Sequence, residues 1–198
     1  MAGLIATAGE TKSSSFKELD PGLYSARCIR VIDLGTQKNE YQGNVKWQRQ
    51  VLVVWEVPSQ LHEGTPMTIS KFYTLSLFEK AKLAQDLTSW RGKPFTETEK
   101  QGFDISKLLG VGCTLNVIQN ERGKIVVHNI MPLNDTIEEQ FHPSMFFSVD
   151  EYLNGNEDVF DELSDGIRNI VLRAQELQDR SPDRGDGGNG AAEEVVPF

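Results

Sequence analysis

The chain reads as a mainly β protein with some helix. A five-stranded small barrel carries one helix between strands 3 and 4, and a C-terminal helix and an acidic tail follow. Three observations lead there. Short segments rich in Val, Ile, Thr and aromatics recur between turn signals, which is strand composition. Within that run the hydrophobic period turns helical over residues 76–91. Charge and glycine content then shift after residue 134.

The 198 residues, 38% hydrophobic and 25% charged, suit one domain with appendages. Residues 1–134 hold 16 Lys and Arg against 13 Asp and Glu, net +3, while residues 135–198 hold 4 against 16, net −12. A mildly basic front joined to an acidic back suggests a polyanion-binding domain with an acidic tail. No apolar run approaches the ~18–20 residues of a membrane span. The N-terminus lacks a basic region followed by an apolar one, so no secretory signal is expected. Cys28 and Cys113 fall in separate expected strands, as reduced, buried small hydrophobes rather than a disulfide or metal pair.

Residues 1–20 are small and polar and form a flexible N-terminal arm. Asp20-Pro21-Gly22 is a turn, Pro fixing φ and Gly accepting positive φ. Leu23–Asp33 is the first strand, and the polar stretch Thr36–Asn44 reads as a loop bearing Lys38 and Tyr41. Val45–Trp55 is the second strand. Val45, Trp47, Arg49, Val51, Val53 and Trp55 share one face, and Lys46, Gln48, Gln50, Leu52 and Val54 the other. It begins wet and ends apolar on both faces, as a strand does on entering a barrel wall. Pro58–Pro66 is a loop before the third strand, Met67–Leu75, where Lys71 lies beside Phe72 and Tyr73.

Residues 76–91 carry Leu83, Leu87 and Trp90 at i, i+4, i+7, with Ser76 and Glu79 as a capping box and Gly92 and Pro94 as the stop. Ile105–Gly110 is a short helical turn. Cys113–Ile118 and Lys124–Ile130 are two strands joined by Asn120–Gly123. After Pro132, an acidic stretch over 135–157 carries Phe141, Phe146, Phe147 and Tyr152, a cluster expected to pack back on the barrel. Asp158–Gln178 is an amphipathic helix with acids in its first turn. It either packs on the barrel or pairs two subunits. Residues 180–194 are Gly-rich linker, and the chain finishes on Val195-Val196-Pro197-Phe198.

Strand, strand, strand, helix, strand, strand is the element order of the OB-fold, which binds oligonucleotides on its strand 2–3 face and connecting loops. The domain organisation is therefore an arm over 1–20, an OB-fold domain over 21–134, an acidic extension over 135–179 and a disordered tail over 180–198. Basic and aromatic side chains on a curved sheet are what a single strand needs: amines for phosphates, ring faces for bases. The candidate nucleic-acid face comprises Lys38 and Tyr41, then Lys46, Trp47 and Arg49, then Lys71 and Tyr73, with Arg91 and Lys93 extending the path. Trp55, Trp90 and Phe72 are assigned to the core. An apolar tetrapeptide ending a linker suits a docking peptide: Val195, Val196, Pro197 and Phe198 for a pocket, Glu193 and Glu194 for a basic rim.

Glu193–Phe198 resembles the acidic tip of bacterial single-stranded DNA-binding proteins. Tyr24–Arg27, Val31–Gln37, Val54–Glu56, Lys71–Ser76 and Ser89–Phe95 resemble stretches of a group of bacteriophage single-stranded DNA-binding proteins with an OB-type domain. The resemblance covers over half of the chain. It implies single-stranded DNA binding without strong sequence preference in the cytoplasm of an infected bacterium. It also implies recruitment of replication or recombination proteins through the tip, and competition of the tail with DNA. No cofactor or membrane partner is implied, and a homo-oligomer is possible.

Catalysis is not expected. His62, His128 and His142 show no metal-ligand spacing with the cysteines, and no phosphate-cradling Gly-Lys-Ser/Thr or nucleophile elbow is present. The rival reading is a phage protein-interaction module, a recombination mediator or inhibitor whose barrel binds protein. RNA binding is a third.

Overall fold

The computed structural model describes residues 18–41, 43–137 and 139–179, with only the backbone given for Tyr41. The greater part of the arm and the whole tip Glu193–Phe198 lie outside the described residues.

The chain is mainly β with some helix. Strands β1 (Gly22–Tyr41), β2 (Asn44–His62), β3 (Thr65–Thr74), β4 (Gly112–Gln119) and β5 (Ile125–Pro132) form an antiparallel path in the order β3-β2-β1-β4-β5. A short β6 (Met145–Phe147) runs parallel to β1 at Arg30–Ile32, taking the edge that β4 leaves at Arg27. Between β3 and β4 lie α1 (Lys82–Arg91), α2 (Glu97–Gln101) and a 3-10 turn (Ile105–Leu108). Then α3 (Val149–Leu153), α4 (Asp158–Asp161), α5 (Asp165–Val171) and α6 (Gln175–Gln178) follow β6.

The expected closed barrel is corrected to an open sheet. Among the described residues no backbone ladder joins β3 to β5. The seam is bridged by a side chain instead, Lys71 Nζ reaching the His128 carbonyl at 3.4 Å. The sheet still curls enough for all five long strands to share one core. Cys28, Val53, Trp55, Leu115 and Ile130 meet Leu83, Leu87 and Trp90 of α1 there. Trp55 and Trp90 are core, their ring centroids 6.1 Å apart, and Trp90 Nε1 donates to the Gly112 carbonyl at 2.8 Å. Leu19, assigned to the arm, is buried in the same core.

Two expected loops are strand. Thr36–Tyr41 continues β1 and Asn44 opens β2, so the hairpin extends well beyond the sheet. Pro58–His62 belongs to β2, and the turn shrinks to Glu63-Gly64, both at positive φ (51° and 79°), the geometry of a tight hairpin. Backbone pairing across antiparallel neighbours outweighed the loop-like composition. The helix expected from Ser76 starts at Lys82 with Ala81 as an uncapped N-cap; Ser76 Oγ accepts from Phe78 N instead.

A second core lies on the other face of β1 and β2, which explains why both strands are apolar on both faces. Ile32, Leu34 and Leu52 meet Met145, Phe147, Val149, Leu163 and Val171. The expected helix over 158–178 is three short ones, broken where Ser164 (ψ 152°) and Ala174 (ψ 139°) are extended. Those breaks bend the segment so that Leu163, Val171 and Ala174 stay on β1 and β2. Glu56 clamps the start of this extension, its buried carboxylate accepting from the Phe141 and His142 N–H groups at 3.0 and 2.7 Å and contacting His142 Nδ1. Phe147 is buried within it, whereas Phe141 is exposed.

Candidate nucleic-acid interface

Beyond the Gln50–Thr74 pair β3 leaves β2, and the hairpin continues as a two-stranded ribbon. Six residues per strand, 36–41 and 44–49, about 20 Å at the usual rise, continue past the end of β3. A free two-stranded ribbon is marginal in water, so its base needs fastening. Gln37 Nε2 donates to the Leu34 and Ile170 carbonyls. Asp33 accepts from Gly35 N, from Arg49 Nε and Nη2, and from Val149 N.

The register sorts the ribbon's side chains by face. Lys38 lies directly opposite Trp47, and Glu40 opposite Val45. Lys46 lies opposite Asn39 on the reverse face, where Asn39 also meets Gln48 (3.4 Å) and Gln50 (3.1 Å). Lys38 and Lys46 are exposed, and Trp47 is 50% exposed. A half-exposed indole with an amine in register presents a ring face and a cation side by side, the two groups that a base and a phosphate can meet. Tyr41 pairs with Asn44 at the ribbon tip, and its ring lies outside the description.

The remaining candidates go elsewhere. Arg49 shares the face of Lys38 and Trp47, but its guanidinium forks onto Asp33 (3.1 and 2.6 Å) and meets Asp150 (2.9 Å). Those carboxylates hold it above the ordinary arginine range. Tyr73 is corrected from surface to core. It is 4% exposed, and its hydroxyl donates to Asp86 Oδ2 at 2.9 Å. Burial foremost, then the Asp86 charge, pushes that phenol up. Lys71 is turned inward as well, 2.7 Å from Asp86 Oδ2; burial lowers it despite that partner. Arg91 packs over the Phe95 and Phe103 rings and pairs with Glu99. Glu99, also capped by Thr96 N–H, is held at about 2. Lys93 is exposed just past α1.

The sequence reading missed Phe72, which is 51% exposed on the face opposite Lys71 and Tyr73, in the row Ile32–Leu52–Phe72. Strict alternation about an inward Tyr73 was the signal available. It also missed the carboxylates of Asp150 and Glu176 at the ribbon base, which no local pattern could bring there.

Cys28 and Cys113 are buried and free, and burial pushes the Cys28 thiol up to about 12. Among the described residues no group of three or more His, Cys, Asp or Glu is arranged to hold a metal ion, and no helix is long and apolar enough to cross a membrane. Comparison with known proteins gave no match to a family model, a curated protein or a solved structure.

Proposed function

We propose that this chain binds single-stranded DNA without strong sequence preference, through the β1–β2 ribbon of an OB-type domain. The observation that carries the reading is Trp47, half exposed on the ribbon with Lys38 directly across from it. Any base can stack on an indole face and any phosphate can meet an amine, so such contacts do not discriminate sequence. The OB-type assignment is supported by β1 pairing with both β2 and β4, by α1 between β3 and β4, and by one core shared by five strands.

The test is intrinsic fluorescence. Trp55 and Trp90 are buried, so quenching by oligo-dT should come from Trp47 and vanish in Trp47→Phe. Strong salt dependence is expected because phosphate contacts release counterions. No quenching and no binding at low salt would reject this reading and favour the protein-interaction module. Parallel titrations with RNA and duplex identify the ligand type. Recruitment of replication or recombination proteins rests on Glu193–Phe198 alone. Deleting residues 195–198 should abolish it while leaving DNA affinity intact or raised.

A further inference from the structure

The base of the ribbon holds an anion cradle that is already filled. Thr36 and Arg49 face each other across β1 and β2, one row beyond the Gln37–Gln48 pair and two from Lys38–Trp47. Thr36 gives its N–H (2.8 and 3.1 Å) and its hydroxyl (2.7 Å) to Glu176 of α6. Arg49 gives Nη2 to Asp150 of α3. A backbone amide and a hydroxyl on one carboxylate and a guanidinium on another, set in one row of the ribbon, make up the donor set that a phosphodiester takes. We propose that the Thr36–Arg49 row is a phosphate subsite of the single-stranded DNA path, with Glu176 and Asp150 occupying it until the DNA backbone displaces them. This rests on the function proposed above.

Two features make the carboxylates replaceable. The extension is anchored by apolar neighbours, Val149 beside Asp150 and Ala174 two residues before Glu176, both fully buried. Asp150 itself is 64% exposed in its side chain, so it can turn away without moving its anchor. Asp33, by contrast, is locked by four donors and keeps Arg49 aimed. Two residues along a strand are about 7 Å, so a base stacked on Trp47 brings its backbone within reach of this row.

The experiment is the Trp47 quenching titration with oligo-dT on the full chain, comparing wild type with Asp150→Asn, Glu176→Gln and the double variant. Each single change should raise affinity about three- to tenfold at low salt, and the slope of log affinity against log salt should steepen by about 0.7. In an Arg49→Lys background, which keeps a charge for Asp33, the Asp150→Asn gain should shrink. Glu151→Gln, a neighbouring exposed acid outside the cradle, controls for general charge and should give a much smaller gain. Thermal unfolding identifies any variant that loosens the extension; exposed Asp150 then decides alone. Acid variants that bind like wild type, or no better than Glu151→Gln, overturn the subsite while Trp47-dependent binding stands. If no variant binds, the subsite and the proposed function fall together.

Discussion

Lys71 and Tyr73 meet on a single oxygen, Asp86 Oδ2, at 2.7 and 2.9 Å. Lys82 takes the other oxygen at 2.8 Å. A buried acid on α1 thus satisfies two polar side chains of β3, and Lys71 goes on to the β5 carbonyl of His128. The open seam between the two edge strands is thus bridged at Lys71, by one side chain of this knot. Replacing Asp86 with Ala would strand a cation in a desolvated site, and should destabilise the chain by about 3–5 kcal/mol in urea unfolding. A loss under about 1 kcal/mol would mean that Lys71 finds water and the knot is dispensable.

Tyr73→Phe removes only the hydroxyl from that knot. It should cost about 1 kcal/mol of stability and leave oligo-dT affinity unchanged. A drop in affinity at unchanged fold would return Tyr73 to the interface.

Trp47→Ala should leave the unfolding midpoint nearly unchanged, because the ring is half in solvent. DNA binding should weaken by about 1–3 kcal/mol, the value of one base–aromatic stack. Equal affinity in calorimetry would remove the ribbon from the binding path.

Gly35 sits at φ +68°, and a Cβ there would stand 2.5 Å from Ala174 Cβ. Gly35→Ala therefore combines left-handed backbone strain with overpacking and should cost roughly 2–4 kcal/mol. Hydrogen exchange should show residues 165–178 losing protection while 22–28 keep theirs. Uniform loss across both segments would contradict a separable extension.

The Glu56 clamp should make attachment of the extension pH-dependent. Burial alone would raise this carboxyl, but the Phe141 and His142 amides and the His142 ring outweigh it and hold it below the ordinary range. A folded value below the unfolded one of about 4.3 gives stabilisation that is complete above it and lost as pH falls through the folded value. Exchange at 141–149 should therefore accelerate in acid before that of β1 and β4, and Glu56→Gln should flatten the dependence. Protection that survives to the acid unfolding of the whole chain would refute it.

The strand-rich front, the buried Trp55 and Trp90, and the β4–β5 hairpin were legible because each follows from local pattern: β-branched runs, a helical stripe, a turn signal. Lys46 and Trp47 were legible for the same reason, as polar and aromatic residues on a wet strand end, whereas Lys38 was assigned to a loop and stands on β1. The segment Lys71-Phe72-Tyr73 was read with its faces reversed. Hydropathy favours an inward Phe72, and only a remote acid, Asp86, makes it cheaper to bury the flanking polar tips. Thr36–Asn44 looked like a loop because a ribbon's stability lies in its partner strand and in the fastening at its base.

The amino-acid order by itself determined that the front is strand-rich, that a helical stripe carries Leu83, Leu87 and Trp90, and where the acid gathers, since those depend on neighbours a few residues apart. Tertiary structure decided which way β3 faces, that the sheet stays open, and that Asp150 and Glu176 reach Arg49 and Thr36. Those outcomes depend on charges and carbonyls brought together from 15 to 140 positions apart, which no local pattern encodes.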